Sequence, residues 1–274
     1  MSLHERLRKT YWGLLRCVHR RLHPQAVILS PHRAVDGILR HLPPDRFTPD
    51  RPMVMIDGGA HDGRTSLMFA RQYPNFVTHT FEANADLEPG LETALAHLPG
   101  TRNVNALARC SGKLSFQVNQ SPMTSSVLPV DHWSTEYFGD VTQPAERRTV
   151  DALSLDDWAD AHSVNRVDMI KLDLQGYEHE ALLGARRLLD RGVGCIYTEV
   201  NFISFYQGCA LFADVDMILR QHGYRLYNIY HLATHLCDGQ IGSADALFIR
   251  DITTRPSSVV IEQPHPQPRQ RVAA

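Results

Sequence analysis

The chain has no run of about 18 consecutive apolar residues, the length that carries a helix across a bilayer. Charged side chains recur through the first twenty residues, which excludes the apolar centre of a signal peptide. Cysteine is scarce and scattered: Cys17, Cys110, Cys195, Cys209 and Cys237 form no Cys-x-x-Cys pair. That excludes a zinc ribbon, argues against a disulfide framework and suits a reducing cytoplasm. A formal net charge of -2 leaves no global basic field, so no nucleic-acid partner is expected. No internal repeat is present.

What remains is an ordinary globular composition, 43% hydrophobic over 274 residues, enough to bury a core without metals or cross-links. Three regions separate. Residues 1–50 hold a basic amphipathic stretch followed by a proline-broken segment. Its apolar positions Leu3, Leu7, Tyr11, Leu14, Leu15, Val18 and Leu22 recur at helical spacing, with arginines between them. Such a helix packs on the domain or a second subunit, or lies on an anionic membrane surface. Residues 51–251 form the main domain. Residues 252–274 carry Pro256, Pro264, Pro266 and Pro268 with few large apolar groups, the composition of a disordered tail.

The main domain alternates short apolar runs with helical patterns. Strands are expected at Val54–Ile56, Val77–Phe81, Val104–Leu107, Leu114–Val118, Val167–Leu172, Cys195–Val200, Tyr224–Ile229 and Ala246–Ile249. Helices are expected from Ser66 to Tyr73, after Asn84 (with Leu87, Leu91, Leu95 and Leu98 inward), from Glu178 to Leu189, and from Phe212 to His222. This order predicts an α/β fold, a mostly parallel sheet covered by helices on both faces. Ligands of such sheets bind beyond the carboxyl ends of the strands.

Two motifs stand at strand ends. The first is Asp57-Gly58-Gly59-Ala60-His61-Asp62-Gly63, a glycine turn where backbone can approach a ligand closely. The spacing Gly58-x-Ala60-x-x-Gly63 approximates a dinucleotide fingerprint, which keeps a nicotinamide-dependent oxidoreductase in view. Asp57, however, would repel a phosphate and suits a ligand bearing an ammonium group. Glu82, closing the next strand, is placed to accept ribose hydroxyls from either cofactor class. The second motif, Lys171-Leu172-Asp173-Leu174-Gln175-Gly176-Tyr177-Glu178, repeats the logic. Lys171 and Asp173 share one strand face, and Glu178 falls in the first turn of a helix.

These motifs resemble the FkbM family of methyltransferases. Its glycine turn, Asp-x-Gly-Ala-Asn-x-Gly-x-x-Ser, is similar to Asp57-x-Gly59-Ala60-His61-x-Gly63-x-x-Ser66. Its Phe-Glu-Pro, Thr-x-Asp-x-Leu and Lys-x-Asp-x-Glu-Gly-x-Glu segments are matched by Phe81-Glu82-Ala83, Thr149-x-Asp151-x-Leu153 and Lys171-x-Asp173-x-Gln175-Gly176-x-Glu178. Similar pieces follow at Glu199, Phe212-x-Asp214-x-Asp216 and Gly223-Tyr224. The departures are His61 for Asn, Ala83 for Pro and Gln175 for Glu.

The resemblance implies a seven-stranded, Rossmann-like class I methyltransferase whose last strand, near Ala246–Ile249, runs antiparallel. It implies S-adenosylmethionine as cofactor, held by Asp57, Gly59, Ala60, His61, Gly63, Ser66, Glu82, Ala83 and Asp173, with Asn105 and Ala106 beside the adenine. It also implies O-methylation of a sugar, glycan or natural product. Asp173 is the first candidate for a base acting on the acceptor hydroxyl. His231 and His235, after the Tyr224–Ile229 run, are the histidine candidates. Asp173 and Glu199, from neighbouring strand ends, supply oxygen ligands suited to magnesium. The stretch Ser121–Ser126, with Trp133 and Tyr137 beyond it, reads as a lid or acceptor loop or as ordinary surface. Besides the oxidoreductase, a non-catalytic domain binding a glycan or partner protein is the remaining alternative.

Overall fold

The computed structural model describes residues 52–71, 75–234 and 239–250. The expected helix at 3–22, the proline-broken segment, the tail from 252 and His235 lie outside the described residues. No helix among the described residues is long and apolar enough to cross a membrane.

A seven-stranded sheet forms the frame. Its strands are β1 (Met53–Gly58), β2 (Phe76–Phe81), β3 (Arg102–Asn103), β7 (Met169–Leu172), β8 (Cys195–Asn201), β9 (Tyr224–Thr234) and β10 (Ile241–Arg250). Their order across the sheet is β3-β2-β1-β7-β8-β10-β9. Neighbours from β3 through β8 pair in parallel, while β10 runs antiparallel to both β8 and β9. This is the fold class the motifs imply, with the antiparallel last strand longer than its apolar centre suggested.

The central strands β1, β7 and β8 bury both faces, so they read as largely apolar runs rather than alternating ones. On one face Ile56, Ile170, Leu172, Ile196, Val200, Ala246 and Phe248 join the larger core cluster. Onto it pack α5 (Glu178–Leu183), α6 (Arg186–Arg191) and α7 (Phe212–Gln221), through Ala181, Leu182, Leu188, Leu189, Val215, Ile218 and Leu219. On the other face Met53, Met55, Met169, Cys195, Tyr197 and Leu247 meet Phe69 of α1 (Arg64–Ala70). Helix α2 (Glu88–Leu95) follows a short 3-10 turn capped by Asn84 and buries Leu91 and Leu95.

Three expectations need correction. The single helix expected from Glu178 to Leu189 is two helices. A Cβ at Gly184 would sit 2.1 Å from the Ala108 carbonyl, and the Gly184 carbonyl accepts the Asp156 N–H. The Asp156 carboxylate then caps the N–H groups of Arg187 and Leu188 at 2.9 Å each, starting a new helix. The strand expected at Val104–Leu107 divides as well. Arg102–Asn103 completes the main sheet, and Ala106–Leu107 (β4) enters a second sheet of order β4-β6-β5. Finally, β6 (Pro144–Leu153) had no counterpart in the apolar pattern. It pairs with β5 (Gly112–Asn119) as a ribbon exposed along much of its length.

This ribbon is tied down over the strand ends. Arg148 reaches Asp86 at 2.8 Å, and the Ser126 hydroxyl donates to the Gln175 carbonyl at 2.8 Å. Helix α3 (His132–Phe138) rests on the loop after β8, where Ser134 donates to the Phe205 carbonyl and Tyr137 packs 5.0 Å from the Phe205 ring. Helix α4 (Leu155–Ala161) buries Trp158 beneath β2.

Candidate active site

A cleft of about 420 Å³ opens at the carboxyl ends of β1, β2 and β7, between the main sheet and the ribbon. One wall is the glycine turn and Glu82. A second is Lys171, Asp173, Leu174, Gln175 and Tyr177. The third is Asn105, Ala106 and Leu107 with Phe116, Pro122, Met123, Ser125 and Val127.

The turn is shaped by contacts that leave no room for side chains. Gly59 has φ 69°, and a Cβ there would lie 1.9 Å from the Asp173 carbonyl. The N–H groups of Gly59 and Ala60 both donate to the Phe81 carbonyl, folding the turn over the end of β2. His61 has φ 49°, a left-handed conformation that histidine and asparagine tolerate better than most residues. This accounts physically for the exchange of these two types at the position. The His61 N–H donates to Glu82 Oε2 and the Asn84 N–H to Glu82 Oε1, each at 2.9 Å. Both carboxylate oxygens are thereby oriented, with lone pairs left over for a ligand. Burial pushes the Glu82 carboxyl up, against these two N–H bonds.

Asp57 is fully buried beneath the turn and is not on the cleft wall. It pairs in register with Lys171 of β7, which puts both side chains on one face. Ser66 Oγ donates to Asp57 Oδ2 at 2.7 Å, and Lys171 Nζ lies 3.3 Å from Asp57 Oδ1. Apart from this ion pair, that oxygen has no hydrogen-bond partner among the described residues. Lys171 also donates to the Gly59 carbonyl at 3.0 Å and stands 3.9 Å from Asp173 Oδ2. Burial opposes its charge, but the two aspartates outweigh it and hold the ammonium above its ordinary range. Gly63 and Ser66 likewise lie behind the wall; a Cβ at Gly63 would press on Leu91 and Leu95. Of the sequence candidates, then, Gly59, Ala60, His61, Glu82, Ala83, Asn105, Ala106 and Asp173 face the cleft, and Asp57, Gly63 and Ser66 support it.

Beyond Asp173 three carboxylates converge: ligand oxygens of Asp173, Glu178 and Glu199 lie within 4.8 Å of one another. Glu178 turns Oε1 to the N–H groups of Leu174 (2.6 Å) and Gly176 (3.3 Å). Burial, reinforced by Asp173, nevertheless pushes it up to about 7. Burial and the same neighbour push Glu199 well above the carboxylate range. Burial and mutual repulsion disfavour three negative charges side by side, and nothing in the geometry singles out magnesium. Glu178 was legible only as a helix-start charge; its approach to Asp173 and Glu199 depends on three separate elements.

His231 is not in this constellation. It sits on β9, three strands from β7, which is roughly 14 Å at the usual strand spacing. It bonds Asp245 at 2.6 Å and Tyr197 at 3.2 Å, off the cleft wall. Trp133 and Tyr137 are also off the wall, whereas Pro122, Met123 and Ser125 line it.

Residues 57–226, more than half the chain, match the family described as Methyltransferase FkbM domain. The chain belongs to the FkbM methyltransferase family. Among curated proteins, the 2-O-methyltransferase NoeI of Sinorhizobium fredii is 23% identical to this methyltransferase over 217 residues, spanning 76% of this chain and 81% of NoeI. Among solved structures, the FkbM methyltransferase of Methylobacillus flagellatus superposes at a TM-score of 0.47 with 17% identity. That alignment covers 74% of this chain and 44% of the other, so this methyltransferase spans under half that protein's length. Magnesium protoporphyrin IX methyltransferase from Synechocystis superposes at 0.44 with 13% identity, covering 80% and 79%.

Proposed function

We propose that the cleft holds S-adenosylmethionine and that the enzyme methylates a hydroxyl of a sugar or glycan, with Asp173 as the base. The observation that carries this reading is the position of Asp173. Its backbone contacts the glycine turn while its side chain, 42% exposed, opens on the cleft. Glu82, with both oxygens aimed by backbone N–H groups, suits a pair of ribose hydroxyls. Asn105 and Ala106, with Leu107 and Phe116, offer a largely apolar lining for an adenine. Bound there, S-adenosylmethionine would supply an electrophilic methyl group with a good leaving group, so catalysis rests on alignment and on removal of one proton. Asp173 would take that proton from the acceptor hydroxyl as the methyl passes from sulfur to oxygen, leaving the neutral thioether behind. The relative named for 2-O-methyl transfer favours an oxygen, here a hydroxyl, as the acceptor atom.

The nicotinamide alternative fits less well. The turn itself carries Asp62 on the cleft wall, and Asp173 opens on the same cleft, two acids that would repel a pyrophosphate. The test is calorimetry with S-adenosylhomocysteine and with NAD, followed by transfer of labelled methyl to a panel of mono- and oligosaccharides. Asp173→Asn is expected to keep S-adenosylhomocysteine binding and lose methyl transfer by about 10²-fold or more. NAD binding, or transfer surviving in Asp173→Asn, overturns the reading.

A further inference from the structure

Asp173 stands beside a buried ammonium, yet the two do not close. Lys171 Nζ is 3.9 Å from Asp173 Oδ2, well beyond the roughly 2.8 Å of a formed charge-assisted hydrogen bond. A half-exposed carboxylate with free rotamers would collapse onto such a cation and be spent there. Something holds it away.

The holding contact is on the opposite oxygen. Gln175 Nε2 donates to Asp173 Oδ1 at 2.7 Å, and Gln175 Oε1 lies 2.7 Å from Tyr206 Oη. Gln175 has little freedom to leave. Its backbone is left-handed, φ 55°, and its carbonyl is bound by the Ser126 hydroxyl. A Cβ at the next residue, Gly176, would meet Cys209 at 2.9 Å and Tyr206 at 3.1 Å, so the turn fits tightly against the loop that carries Tyr206. Tyr206 is itself nearly fully buried, with its hydroxyl 2.9 Å from the Thr124 carbonyl.

The surrounding charges suit a neutral amide at this position in this chain. Asp173 is faced by Lys171 on its own strand, Asp57 on β1, Glu178 at the start of α5, Glu199 and Tyr197 on β8, Tyr206 in the loop after β8, and Asp245 on β10 behind Lys171. Most are acids. A further carboxylate at 175 would repel Asp173 towards Lys171, and an apolar group would let it go. An amide donates to Asp173 without adding charge.

We infer that Gln175, steadied by Tyr206, is a positioning residue that holds the Asp173 carboxylate off Lys171 and presents it to the cleft. The inference rests on Asp173 being the carboxylate next to the reacting methyl. Gln175 stands on the cleft wall, but the effect assigned to it acts through Asp173.

The test compares binding of S-adenosylmethionine and S-adenosylhomocysteine, which differ by one methyl group and the sulfonium charge. Affinities for both are measured by calorimetry at one pH for the full-length parent and for Asp173→Asn, Gln175→Met and Tyr206→Phe, with a melting curve for each. In Gln175→Met the affinity for S-adenosylmethionine should fall about three- to tenfold relative to that for S-adenosylhomocysteine, the scale of one partly screened charge contact. Tyr206→Phe should move the ratio the same way by less. A merely structural role would weaken both ligands together or lower only the melting temperature. If Gln175→Met does not fold, Tyr206→Phe decides alone. A parental ratio in the folded variants overturns the inference. If Asp173→Asn itself keeps the parental ratio, the fault lies in the placement of Asp173, not in Gln175.

Discussion

Lys171→Met keeps most of the side-chain length and removes the charge, which isolates what the ammonium contributes. Asp57 is fully buried, so the remaining carboxylate cannot be rehydrated without moving the turn above it. Removing one partner of a buried ion pair costs about 3–5 kcal/mol, because the other charge stays in low dielectric. The lower end applies here, since Ser66 Oγ still donates to Asp57 at 2.7 Å. The carbonyls of Gly58 and Gly59, 3.3 and 3.0 Å from Nζ, lose a donor as well. For a domain of this size each kcal/mol moves the melting temperature by roughly 2–4 °C, so a fall of about 6–12 °C is expected. Urea unfolding followed by circular dichroism gives the free energy directly. The double variant Asp57→Asn/Lys171→Met removes both charges and should recover at least half of the loss. A single-variant loss below about 1 kcal/mol, the range of exposed pairs, would refute the claim that this pair is buried and coupled.

Glu82→Gln sets an amide N–H2 against one of the two N–H groups of His61 and Asn84. It should weaken S-adenosylhomocysteine binding about 10- to 100-fold with a small change in melting temperature; calorimetry showing undiminished affinity removes Glu82 from the ribose site. The Glu178 carboxyl is raised in the fold from 4.5 to about 7, so the folded state binds its proton more tightly than the unfolded chain does. Its stabilisation is therefore complete below pH 4.5 and lost as pH rises towards 7. Glu178→Gln keeps an acceptor for the Leu174 and Gly176 N–H groups, so its melting temperature should fall less between those pH values than the parent's. Parallel curves for the two proteins would contradict the shift.

How much of this was legible depended on the signal each element carries. Strands β1, β7 and β8 were readable because burial on both faces favours apolar runs, and β2 because its residues are β-branched and aromatic. Ribbon strand β6 was not, because Glu146, Arg147 and Arg148 on a largely exposed strand leave no period-two contrast. The break at Gly184 was hidden for a related reason: Ala181, Leu182, Ala185, Leu188 and Leu189 keep helical spacing across it, and the cause is a carboxylate from Asp156, distant in sequence. Asp57, Glu82 and Asp173 were found as strand-end acids. Which of them meets the cleft was not, since that depends on how the turn folds over β2.

The sequence by itself determined the alternation of the main strands and helices, the two glycine-bearing strand ends and the membership in a methyltransferase family. These are local: a turn needs its glycine and a buried strand its apolar run, wherever the rest of the chain lies. Only the tertiary structure decided that Asp57 is a buried counter-ion while Asp173 faces the cleft, that Glu178 and Glu199 crowd it, and that His231 stands apart. Those roles rest on distances between elements far apart in the chain, where a few ångströms separate a closed ion pair from a carboxylate held ready.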